Sequence, residues 1–132
     1  VIDQTLKAWR QSRFAYGQTD CLMSLGAYAA AAGGADVGKG WRGLYHTQEK
    51  AKAIMAAYGG PQGLIDLAGF PRCPPEDARR GDMVVIRLKD GDLIGGLCTG
   101  PGIAVRGERG VIELSRRLVD VVFAWRVAPC QS

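Results

Sequence analysis

The chain changes its hydrophobic period once, near Gly81, and that change limits its fold more than any other feature. Before it, apolar residues recur at helical spacing; after it, short β-branched runs are separated by Gly, Asp and Pro turns. The opening VIDQTLKAWRQSR puts Ile2, Leu6, Trp9 and Arg13 at helical spacing and predicts an amphipathic helix. It ends in the loop Phe14 to Gln18, where Gly17 supplies a positive φ. Thr19 or Asp20 then caps a second helix with Cys21 in its first turn. From Leu22 to Ala32 that helix is apolar nearly all round, the pattern of a central helix, and Gly33-Gly34 stops it.

QEKAKAIMAAYGG predicts a third helix, GPQGLIDLAGF one or two further turns, and PRCPPEDARRGD a proline-rich crossover. Five runs, DMVVIRL, DLIGGLC, GIAVRG, GVIELS and VDVVFAWRV, read as strands. Helices first and strands last predict an α+β domain, N-terminal helices packed on a C-terminal antiparallel sheet, and argue against a doubly wound parallel sheet. The 132 residues fit one domain, with a helical part over about 1–70 and a strand-rich part over about 80–128.

Composition narrows the partners. The net charge of +4 is scattered, its densest pairs being Arg79-Arg80 and Arg116-Arg117, so no basic stripe predicts nucleic-acid binding. The longest apolar run, around Cys21 to Ala35, is too short and too rich in Ala and Gly to insert in a membrane, and no basic-then-apolar signal opens the sequence. The cysteines at 21, 73, 98 and 130 form no C-x-x-C pair and there is one histidine, so neither a metal site nor a cofactor is expected. They read as free thiols in a reducing compartment, Cys98 in a strand core and Cys73 and Cys130 near the surface. Trp9, Trp41 and Trp125 read as core or interface anchors.

Cys21 admits two readings. The partial positive charge of a helix N-terminus favours a thiolate, the reactive form of cysteine. A lone cysteine is equally at home in a core as a small hydrophobe.

The stretch FAYGQTDCLMSLGAYAA resembles the active-site motif of the NlpC-type cell-wall peptidases, papain-like cysteine peptidases and amidases whose Asp-Cys opens a buried helix. ARRGDMVVI resembles the family's entry into its sheet. RGLYHTQEKAKAIM, the nearby Gly-Gly and the final FAWRV are similar to a branch encoded in phage tail gene clusters. The resemblance implies a papain-like fold with Cys21 as nucleophile, Asp20 fixing the turn beside it and Tyr16 as the aromatic near the oxyanion site. In active members a segment like His-Val-Gly-Ile-Tyr-x-Gly carries the base; here IGGLCTG places Ile94 in that position. The next strand, GIAVRGERG, offers Arg106 and Glu108 but no His, Asn or Gln to orient an imidazole. His46 is the remaining candidate base, and Asp82 reads as a turn residue.

The resemblance therefore implies a phage tail-tip or tail-hub protein with a degenerate peptidase fold, used for tail assembly or host-wall contact. The alternative is an active peptidoglycan peptidase or amidase that helps to breach the wall during genome entry. A third possibility keeps the groove above Cys21 for binding without chemistry, with Gly34 to Thr47 and Pro71 to Pro75 as contact loops. The expected partners are other tail-tip or hub proteins and peptidoglycan. The expected place is the virion, after synthesis in the host cytoplasm.

Overall fold

A computed structural model describes residues 1–127 of the chain, so Cys130 lies outside the described residues. Helix α1 spans Ile2–Gln11 and buries Leu6 and Trp9. It stops before Arg13, because Ser12 turns extended (φ −93°, ψ 151°) and its hydroxyl donates to the Trp9 carbonyl at 3.3 Å. Helix α2 spans Cys21–Ala31 with Asp20, not Thr19, as its N-cap, and seven of its eleven residues are buried. Helices α3 (Gln48–Ala57) and α4 (Pro61–Leu67) follow, α3 capped by the Thr47 hydroxyl and α4 opened by Pro61.

Five of the six strands fall in the five β-branched runs: β2 (Met83–Arg87), β3 (Leu93–Cys98), β4 (Gly102–Gly107), β5 (Gly110–Ser115) and β6 (Asp120–Trp125). The sixth, β1 (Arg72–Cys73), lies inside the crossover and pairs with the end of β6. This pairing half-buries Cys73, which the sequence reading had put at the surface. The sheet order is β1-β6-β2-β3-β4-β5, with every pairing antiparallel. The protein is thus α+β, four helices with a six-stranded antiparallel sheet.

Alternation divides the sheet into two faces. Met83, Val85, Leu97, Ala104 and Trp125 join the helices in the main core, whereas Val84, Ile86, Cys98, Ile103 and Ala124 form a second cluster with Ala78. Only four residues, 116–119, carry the chain from β5 to β6, which sit four strand positions apart. In a flat sheet that gap is about 19 Å at the usual strand spacing, close to the limit of a fully extended link. The link contains a 3₁₀ turn, Arg116–Leu118, so the sheet must curl around the second cluster. Arg116 fastens the curl: its guanidinium donates to the carbonyls of Ala78, Pro75 and Glu76.

The two halves of the chain meet where α2 packs on β3. At Gly95 an added Cβ would lie 2.7 Å from Leu25 Cδ1, so a side chain here would have to displace the buried Leu25. Trp125 is fully buried and its indole donates to Asp66 at 2.8 Å, while Arg72 pairs with Asp66 and stacks 4.7 Å from the Phe123 ring centroid. Trp9 is buried in the main core, and Trp41 is half-buried, packed edge-on to Tyr58.

Candidate functional site

Asp20 organises the N-terminus of α2. One carboxylate oxygen accepts the amides of Leu22 (3.1 Å) and Met23 (3.0 Å); the other accepts the Gly17 amide (2.8 Å) and the Tyr45 hydroxyl (2.6 Å). The residue is 5% exposed, so all four donors are satisfied away from water. Gly17 makes this possible: its φ is +80°, and a Cβ there would fall 2.1 Å from the Tyr45 carbonyl oxygen. Loop, cap and the Tyr45 strap form one unit that fixes Cys21 in the first turn.

Cys21 faces a groove of about 490 Å³, bounded by α3, the start of α4, and the ends of β3 and β4. Its wall is mainly apolar, with Phe14, Ala51, Met55 and Leu93. At the mouth Lys52 reaches from α3 to Asp92, 3.9 Å away, both more than half exposed. Tyr16 also lines the groove, but its hydroxyl donates to Glu108 at 2.6 Å and its ring packs edge-on to Phe14. Burial, followed by the Glu108 carboxylate, pushes the Tyr16 phenol up to about 12.

The position of Cys21 predicts a lowered thiol pKa, and the surroundings reverse it. Burial first, then the adjacent Asp20 carboxylate, push the thiol up to about 11, while the amides of Gly95, Leu22 and Cys21 itself pull the other way. The Leu22 and Met23 amides, which would otherwise present the helix's positive end, also serve Asp20. Desolvation plus a neighbouring negative charge outweigh the dipole. Both effects disfavour the thiolate of this half-buried cysteine.

Strand β3 presents no base to it. The Gly95 contact with Leu25 sets the alternation: Leu93 and Leu97 lie on the helix side with Gly95, and Ile94 packs into the second cluster with Cys98. The sequence reading placed the missing base at Ile94; although that residue borders the groove, its side chain packs on the opposite face of the sheet. The positions facing α2 are one residue away, at Leu93 and Gly95, and neither side chain transfers protons.

His46 is not brought into the groove. Tyr45 is 5% exposed and turned toward Asp20, so its neighbour His46 is exposed and lines an adjoining open depression with Ala15 and Gln18, across Phe14 and the Tyr16–Glu108 pair that border both. Asp20, Cys21 and Tyr16 are thus gathered at one groove, and His46 lies beyond Tyr16. Asp82 is 2% exposed and accepts the Arg79 amide at 3.0 Å across the turn into β2, with Arg126 3.7 Å away.

A family model for a domain of unknown function, DUF6950, matches residues 1–127. The chain belongs to the DUF6950 family. No curated protein and no solved structure matches it. In this DUF6950 domain, two site residues escaped the sequence reading. Tyr45 locks Asp20, and its only sequence signal is an aromatic beside the solitary histidine. Arg106 was noted only as unsuited to orient an imidazole, yet it is 2% exposed and lines the groove. Among the described residues no three His, Cys, Asp or Glu side chains are placed to share a metal ion, and no helix is long and apolar enough to cross a membrane.

Proposed function

We propose that this DUF6950 domain is a non-catalytic relative of the NlpC-type peptidases, papain-like in fold, that acts in a phage tail tip or hub and holds a peptide in the groove beside Cys21. The phage setting rests on the resemblance of RGLYHTQEKAKAIM, the nearby Gly-Gly and FAWRV to tail-cluster sequences, and the peptidase ancestry on that of FAYGQTDCLMSLGAYAA. The absence of chemistry rests on one observation: β3 turns Leu93 and Gly95 toward the groove that Cys21 lines, and neither side chain can transfer a proton; burial and Asp20 in addition push the thiol up to about 11. Acyl transfer needs a thiolate and a group to protonate the leaving amine, and neither is supplied there. What the groove retains is a mainly apolar wall with a few polar groups, the character of a binding site.

Purified bacterial cell walls test this reading. The protein should co-sediment with walls without releasing soluble peptide, and Cys21→Ala should bind equally well. Release of wall peptides that disappears in Cys21→Ala would instead establish the peptidase. That second reading draws on the Gly95, Leu22 and Cys21 amides around the sulfur, which favour a thiolate. It requires a base from outside β3.

A further inference from the structure

Arg106 sits on β4 on the helix side of the sheet and lines the same groove as Cys21. It is 2% exposed, yet it forms no ion pair among the described residues. One terminal nitrogen donates to the Ser12 carbonyl at 2.6 Å, and the guanidinium carbon stands 6.0 Å from the Phe14 ring centroid. Its Nε has no acceptor. Glu108, two residues along, accepts the Tyr16 hydroxyl.

A buried guanidinium with one neutral acceptor, a distant ring and an idle donor is an expensive arrangement for a fold to keep. It becomes favourable when an anion completes it, because carboxylates match the planar fork of arginine. Two carboxylates also line this part of the groove, Asp20 held by its four donors and Glu108 held by the Tyr16 hydroxyl, so a bound carboxylate must sit closer to Arg106 than to either. Lys52 adds a second cation at the mouth, balanced by exposed Asp92.

We infer that Arg106 anchors a carboxylate of a short peptide lying in the groove, with Lys52 at its outer end. This rests on the reading of the groove as a ligand site and adds its chemical specificity. A peptide suits the walls better than an alkyl chain, because Asp20, Lys52, Asp92, Arg106 and Glu108 interrupt the apolar lining with polar partners that an alkyl chain would leave unused. The volume of about 490 Å³ accommodates a few residues.

The test compares N-acetyl-Ala-Ala with its C-terminal amide on the wild-type protein, by NMR titration, with octanoate as the acyl-chain control. The acid should bind at least about tenfold more tightly than the amide, the scale of one charge-assisted interaction. It should also bind more tightly than octanoate. Arg106→Gln should erase the acid-over-amide preference, and Arg106→Lys should keep part of it. Equal affinity for acid and amide overturns the anchor while leaving the groove as a peptide site. Tighter binding of octanoate overturns the peptide class, and no saturable binding by any probe overturns both the anchor and the groove reading. If Arg106→Gln fails to fold, the acid and amide pair on the wild-type protein still decides.

Discussion

Removing the Asp20 carboxylate should be among the most destabilising single changes in the chain. In Asp20→Ala, helix α2 loses its cap, which costs about 1 kcal/mol. The Gly17 amide and the Tyr45 hydroxyl are left without their acceptor in a buried setting, at about 1–3 kcal/mol for each donor that water cannot reach. Because the loop relaxes and the terms share atoms, a total of about 3–5 kcal/mol is expected. Urea titration should show a lower midpoint with an unchanged slope, the sign of a stability change without a change in unfolded surface. Tyr45→Phe removes one of the stranded donors, so Asp20→Ala should cost less in a Tyr45→Phe background than in the wild type, by about 1 kcal/mol. A loss below about 1 kcal/mol in Asp20→Ala, with full additivity, would refute the claim that this carboxylate binds loop, helix and strap together.

Other expectations follow from individual contacts. Gly95→Ala drives a methyl to within 2.7 Å of Leu25 and should cost about 1–3 kcal/mol by chemical denaturation. Leu93→His should lower the thiol pKa of Cys21, whereas Ile94→His should leave it unchanged because that side chain packs on the far face; thiol titration separates the two. Arg72, then the Trp125 indole, hold the Asp66 carboxyl below the usual carboxylate range, against the opposing effect of burial. A depressed folded-state pKa gives stability that is present above the unfolded value of about 3.9 and lost as pH falls through the folded one. Asp66→Asn should therefore lower stability at neutral pH by about 0.5–1 kcal/mol, given the partial exposure of the pair, and the gap should close on acidification below about pH 4.

The α+β order was legible because each half has a strong period and the sign of the change is unambiguous at Gly81. The start of α2 was legible for the same local reason, since a short polar side chain before an apolar run serves the first-turn amides, although Thr19 and Asp20 both fit that pattern. What escaped was long-range. β1 is two residues long and exists only because β6 runs beside it, so proline-rich residues there read as loop. The face of β3 turned toward Cys21 depends on register, and a shift of one residue exchanges Ile94 for its neighbours. The thiol pKa reversed sign because the motif shows the helix end but not how closely the groove encloses the sulfur. Arg106 reads as one more scattered cation until folding buries it without a carboxylate.

The central claim is that Cys21 is a neutral thiol in a binding groove, and the pH dependence of its alkylation tests that most directly. Peptide mass spectrometry of the unaltered chain can follow Cys21 separately from the other cysteines. The account predicts slow reaction that keeps rising past the free-thiol range of about 8.5, toward the value of about 11 set by burial and Asp20, and no change in His46→Ala. Fast reaction with a midpoint below about 7, moved upward by His46→Ala, would reveal a thiolate–imidazolium pair and contradict the account.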